Sequence, residues 1–185
     1  DELSGLLREA GLTLADVQGI AYGEGPGAFT GLRIACGVTQ GLALARDLPV
    51  IGVGTLLAVA EASGEDNVLV CIDARMSEVY HAAYRKSEGE WLDITPPGLC
   101  APAAVPLVAG KDWCGCGSGF NAYEALLRAR LGASLRSTRP DLAPTAAAIL
   151  GLAQPRFARG EGRPAGMALP IYLRDKVALK TSERK

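Results

Sequence analysis

The stretch best suited to chemistry is Gly23-Glu24-Gly25-Pro26-Gly27-Ala28-Phe29-Thr30-Gly31-Leu32-Arg33, set between a run that reads as a strand and one that reads as a helix. Backbone N–H groups at such a junction, with the positive end of the helix dipole, can hold a phosphate. Gly23, Gly25 and Ala28 satisfy the loose G-x-G-x-x-G/A pattern, and Asp47 stands about 20 residues on, where a ribose-binding acid is expected. Against this, Glu24 places a negative charge in the loop, Pro26 removes a donor, and no G-K-[ST] follows. A sharp turn that brings a helix close to a sheet accounts better for these glycines.

A second cluster, Gly115-Cys116-Gly117-Ser118-Gly119, again falls between strand and helix. Gly115, Gly117 and Gly119 are candidates to line a nucleotide cleft. No lysine or base stands beside them, so the turn reading is again favoured. Asp73 and Glu78 offer a carboxylate pair for acid–base work, but Arg75 between them points to an ion-paired turn. His81, the single histidine, lies on an alternating stretch and is expected to be a partly exposed strand residue. With one histidine no His-pair metal site can be assembled, the lone His81 has no identifiable Ser partner for a Ser-His-Asp set, and no metal or cofactor is expected. Cys114-Gly115-Cys116 has C-x-C spacing without a second pair, which fits buried small hydrophobes.

The elements that must position these residues follow from periodicity. Leu3, Leu6, Leu7 and Ala10 mark one face of a helix ended by Gly11. A strand is predicted over 17–22, a long helix over 30–46 with Thr30 or a neighbour as its cap, a strand over 48–53 and a helix over 55–63. Polar residues 63–67 suggest a boundary between a first lobe (1–65) and a second (66–185). The second lobe should hold strands over 68–73 and 78–85, a polar turn over 86–90, and a region (96–106) where four prolines interrupt any regular element. A strand over 111–119, helices over 121–131 and 145–157, an extended segment at 170–173 and a polar tail at 181–185 complete it. This order implies an α/β protein with mixed sheets flanked by helices.

Composition bounds the function. The 185 residues are 49% hydrophobic, 21% charged and 5% aromatic, as in a folded globular domain and unlike a disordered chain. The most apolar stretch, 34–45, is broken by Thr39 and Gln40 and too short to cross a bilayer. Residues 1–92 carry six basic and thirteen acidic side chains, residues 93–185 thirteen and seven. That asymmetry does not amount to a nucleic-acid grip by the whole chain. Five cysteines and no signal peptide at the start read as reduced thiols of a cytosolic protein. The chain opens at Asp1 on a helical pattern, like a sequence entered partway through a fold.

The helix over 30–46 points to binding. Ile34, Val38 and Leu42 make one stripe at spacing four, and Gly37, Gly41 and Ala45 a second. Leu32, Ala35, Cys36 and Ala43 cover much of the rest; within the helix only Arg33, Thr39 and Gln40 are clearly polar. A helix apolar almost all round must be covered on more than one side. Its own sheet covers one. The other is a candidate partner surface, with the Leu3/Leu6/Leu7 helix as its expected neighbour.

The run from Gly25 to Ile34 resembles the bacterial TsaB (YeaZ) family. So do Gln40-Gly41-Leu42-Ala43, Ile51-Gly52-Val53, Ile72-Asp73-Ala74-Arg75, Glu78-Val79-Tyr80, and Pro170-Ile171-Tyr172-Leu173-Arg174 with Val177-Ala178. Family members open on a strand of the type I-L-A-I-D-T-S and a hairpin, neither of which is found here. The resemblance implies the two-lobed actin-like, sugar-kinase and Hsp70-ATPase fold with an N-terminally incomplete first lobe. It implies a non-catalytic subunit that binds the catalytic subunit TsaD and, with the ATPase TsaE, supports formation of N6-threonylcarbamoyladenosine in tRNA. The TsaD contact would use residues 1–10 and 30–46: Leu3, Leu6, Leu7, Ala10, Thr30, Arg33, Ile34, Gly37, Val38, Gly41, Leu42 and Ala45. The tRNA would be reached indirectly, with Arg174, Lys176 and Lys180 as candidates for direct contact, and self-association through the same helices is a physically reasonable state. The competing reading is a nucleotide-binding ATPase or phosphotransferase of the same superfold; a peptidase is disfavoured for want of a nucleophile with a base.

Overall fold

The computed structural model describes residues 2–174. The chain begins with helix α1 (Glu2–Glu9) and a short 3-10 turn, then strand β1 (Ile20–Gly25), helix α2 (Phe29–Arg46), strand β2 (Val50–Gly54) and helix α3 (Thr55–Ser63). Strands β3 (Asn67–Asp73), β4 (Val79–Ser87) and β5 (Glu90–Cys100) follow. After them come β6 (Trp113–Cys116), α4 (Gly119–Ala122), α5 (Glu124–Leu131), β7 (Leu135–Arg139) and α6 (Ala146–Ala158).

Two sheets result. β1 and β2 pair in parallel, joined by α2 as a crossover, in register from Ile20 opposite Val50. The larger sheet has the order β5-β4-β3-β6-β7, antiparallel from β5 to β3 and parallel from β3 to β7. Its two faces carry separate cores. Leu56, Val59 and Ala60 of α3 pack on Val68, Val70, Tyr80, Ala82, Cys114 and Cys116. Phe120 of α4 and Leu127 and Leu131 of α5 pack on Leu69, Cys71, Val79, Ala83 and Trp113. Ala58 of α3 turns the other way, onto Ile51 and Val53 of β2 with Ala153 of α6. Helix α3 therefore lies between the two sheets and is apolar on both sides because both are covered.

A division of the chain at residues 65 and 66 does not describe this packing. Helix α6 returns to β1, β2 and α3, and the segment at 163–171 is tied to the small sheet through Arg163–Val50 and Ile171–Glu24 backbone hydrogen bonds. The small sheet thus draws on both ends of the chain.

Several elements depart from sequence expectation. Strand β1 runs on to Gly25, three residues into the glycine cluster. Helix α2 has Ala28 at its N-cap, without a side-chain cap, and Thr30 is an exposed residue of the first turn. Pro96 and Pro97 lie inside β5, an edge strand, where a missing N–H can face away from the ladder. Strand β7 is an unpredicted edge strand: Leu135-Arg136-Ser137-Thr138-Arg139 is too polar to show a buried pattern, and parallel pairing with β6 holds it. The motif residues Val177-Ala178 and the tail at 181–185 lie outside the described residues.

Candidate functional site

Helix α2 has its polarity inverted. Of its clearly polar interior residues, Thr39 is buried, and Gln40 is half-buried with its side-chain amide donating to the Ala168 carbonyl at 3.0 Å. Leu32, Cys36 and Ala43 complete the inward row against Tyr22 and Val50. The outward face is apolar: Ile34 is 60% exposed, Val38 54% and Leu44 78%. Between them Gly37 and Gly41 are bare, for a Cβ built on either would touch nothing within 4 Å. Fully burying a Val, Leu or Ile side chain is worth roughly 1.5–3 kcal/mol, so this face forgoes several kcal/mol that a partner could restore.

The other helix of the expected surface is equally open. None of the residues of α1 is buried; Leu3, Leu6 and Ala10 are exposed and Leu7 half-buried. The expected packing of α1 onto the Gly37/Gly41/Ala45 stripe is not made, and the stripe is solvent-facing. Thr30, Arg33 and Ala45 are exposed with it, while Leu42 is half-buried. Sequence periodicity missed Leu44, the most exposed large hydrophobe among the described residues, and Leu12 just beyond α1. A signal for Leu44 was present: it stands one turn after Gly41, on the side of the small-residue stripe.

Gly25 and the glycines of the second cluster pack directly against protein. Gly25 has φ +114°, and a Cβ there would meet the Ile171 carbonyl oxygen at 2.6 Å. Glu24 does not project into the loop mouth: its side chain lies over Gly52, where burial raises its pKa and nearby Arg156 counters that. At the second cluster, a Cβ on Gly117 or Gly119 would meet the Cys71 carbonyl oxygen at 2.7 and 2.8 Å, and one on Gly115 would strike the Phe120 ring. These glycines let the β6–α4 turn approach the end of β3.

The carboxylates are engaged. Asp73 pairs with Arg75 at 3.0 Å and accepts from the Tyr123 hydroxyl, whereas Glu78 is held by Arg174 at 2.8 Å rather than by Arg75. Arg174 also donates to the carbonyls of Ala74 and Arg75, clasping a turn whose residues 75, 76 and 77 all have positive φ. His81, expected to be partly exposed, is buried on β4 beside Gly98, and burial lowers its pKa, keeping it neutral. Cys114 and Cys116 sit fully buried with their sulfurs 3.6 Å apart, and burial pushes the Cys116 thiol up. Among the described residues no three His, Cys, Asp or Glu side chains come together as a metal site, and no helix is long and apolar enough to cross a membrane.

Two helix-flanked sheets of this arrangement define an α/β protein of the actin-like and Hsp70-ATPase superfold. The profile of the family described as "TsaD: tRNA N6-adenosine threonylcarbamoyltransferase" matches residues 2–156. The chain is 39% identical over 184 residues to the tRNA threonylcarbamoyladenosine biosynthesis protein TsaB of Escherichia coli, covering 95% of this chain and 78% of that one. The Haemophilus influenzae protein of the same description is 36% identical over 189 residues, with the same coverage. The solved structure of YeaZ from Pseudomonas aeruginosa superposes with a TM-score of 0.83 at 42% identity, covering 92% of this chain and 81% of that one. A second Pseudomonas aeruginosa structure, described as an uncharacterized protein with similarity to peptidase YEAZ, gives 0.84 at 41% identity, covering 93% and 81%. The chain belongs to the TsaB (YeaZ) family.

Proposed function

We propose that this chain is a non-catalytic subunit of the machinery that forms N6-threonylcarbamoyladenosine in tRNA. It acts by docking the catalytic subunit TsaD, with TsaE joining the assembly and tRNA reached through it. The observation that carries this reading is the inverted polarity of α2, whose apolar, glycine-lined face is left to solvent. Two bare glycines at spacing four let a second helix approach closely, as small residues do wherever backbones meet. The names of the relatives support the pathway, and the engagement of Asp73, Glu78 and His81 within the fold supports the lack of a catalytic role. Direct contact of tRNA with Arg174 has less support, since that side chain is spent on the 74–78 turn; Lys176 and Lys180 lie outside the described residues.

The test is light scattering after size exclusion, on the chain alone and mixed with TsaD from the same organism. A one-to-one mixed species is expected, lost in Gly41→Arg, which puts a long charged side chain on the bare stripe from a position whose Cβ would meet no neighbour within 4 Å. Unchanged affinity in a folded Gly41→Arg chain would refute the assignment. Self-association of the isolated chain that TsaD displaces would place both on the same face.

A further inference from the structure

Where the N-terminal end of α2 meets the 171–174 segment and β4, the fold holds a cavity of about 410 Å³ lined by Phe29, Leu32, Arg33, Tyr80 and Tyr172. Phe29 and Tyr172 lie ring to ring at 5.6 Å, and the Arg33 guanidinium stacks 3.9 Å from the Phe29 ring centre. The Arg33 Nε donates to the Tyr172 hydroxyl at 3.1 Å. These rings are 40% and 44% exposed in a chain with only 5% aromatics. Three of its lining residues, Phe29, Leu32 and Arg33, belong to the first turns of α2, the helix that carries the bare face.

We infer that this cavity is an anchor pocket for a protein partner: it takes one large apolar or aromatic side chain whose neighbouring carboxylate meets Arg33. The inference rests on the docking role proposed for α2 and extends it around the helix terminus. Charge decides the class of partner. Of the two arginines lining the cavity, Arg174 is spent on Glu78, two carbonyls and the Met76 sulfur. Among the described residues Arg33 hydrogen-bonds only through its Nε, so its terminal nitrogens remain to recognise an acid. One available guanidinium over an apolar floor suits a single carboxylate, whereas a nucleic-acid strand is gripped by several cations along its phosphates. Buried aromatic anchors ringed by water-excluding contacts carry most of the energy in protein interfaces.

The probe is 1-anilinonaphthalene-8-sulfonate, an aromatic anion of the size the cavity admits, added to the whole chain. The variants are Gly27→Leu and Arg33→Gln. Gly27 lines the cavity and an added Cβ there makes only ordinary contact with Leu32, so Gly27→Leu projects an apolar side chain from the cavity wall, with circular dichroism confirming the fold. Dye fluorescence should rise in the parent chain, be displaced by TsaD, and fall several-fold in both variants. TsaD affinity should fall at least about tenfold in Gly27→Leu. Dye binding equal in all three chains, or unchanged TsaD affinity in Gly27→Leu while Gly41→Arg abolishes it, overturns the pocket and leaves the helix-face reading standing. Unchanged affinity in Gly41→Arg with loss in Gly27→Leu overturns the helix face and leaves the pocket. Displacement of the dye by a single-stranded RNA 12-mer and not by TsaD overturns the protein assignment.

Discussion

Helices α2 and α3 are both apolar nearly all round, and they meet opposite fates. Helix α3 buries Leu56, Ala58, Val59, Ala60 and Ser63 because the two sheets close on it from both sides. Helix α2, twice as long, buries only the row Leu32, Cys36, Thr39 and Ala43, and offers Ile34, Val38 and Leu44 to solvent. Apolar composition alone therefore does not tell a core helix from a docking helix. The difference lies in what is packed on the far side, and in where the polar residues point. In α3 the one charged side chain, Glu61, reaches outward to Trp91 and Lys86. In α2 the polar Thr39 and Gln40 turn inward, so between Arg33 and Arg46 the outer face carries no polar side chain.

The contrast breaks most readily by truncation. Leu56→Ala should cost about 2–5 kcal/mol, the range for deleting a well-packed leucine; Leu44→Ala should lie within about 0.5 kcal/mol of the parent. Urea unfolding of both variants measures this, and equal losses would mean that the outer face of α2 is covered within the chain. A finer effect comes from Gly37→Ala. With open space around the new methyl group, it should stabilise the isolated chain by about 0.5–1 kcal/mol through helix propensity. It should weaken TsaD binding at the same time, so opposite signs in unfolding and titration experiments sharpen the division between stability and docking.

The smallest effect is electrostatic. Burial would raise the Glu61 carboxyl, but hydrogen bonds from Trp91 and Lys86 outweigh it and hold the pKa below the ordinary carboxylate value. The unfolded chain thus binds a proton first as pH falls. The stabilisation is complete above about pH 4.5 and is lost as pH drops through the lower folded value. Glu61→Gln should therefore show a shallower acid loss of stability than the parent. An identical acid limb would show that the Trp91 and Lys86 contacts to α3 contribute nothing.

Much of the architecture was legible because it follows from local chemistry. The bounds of α3 at 55–63 were read without error, since Gly54 and Gly64 flank a run of good helix formers. The β3–β4 hairpin was visible through alternation, and α6 within one residue at each end; Thr145, expected as its first residue, is its N-cap and accepts from the Ala148 N–H at 3.1 Å. Strand β7 and the proline-bearing β5 were not, because these edge strands are held by ladder bonds to a neighbouring strand more than by their own pattern. The twelve docking residues follow from spacing and resemblance. That α1 stands off the α2 stripe instead of covering it was invisible, since nothing in either helix encodes the distance between them.

By itself, then, the sequence determined the order of helices and strands, the apolar surplus of residues 30–46 and the glycines that two tight turns require. Those are properties of neighbours along the chain, set by periodicity and backbone freedom. Tertiary structure alone decided which apolar surface is core and which is left open. It buried the histidine, laid Glu24 over Gly52, and brought Arg33 and Tyr172 together across 139 residues of chain. Burial is a property of what stands opposite a side chain, and only the folded sheets determine that.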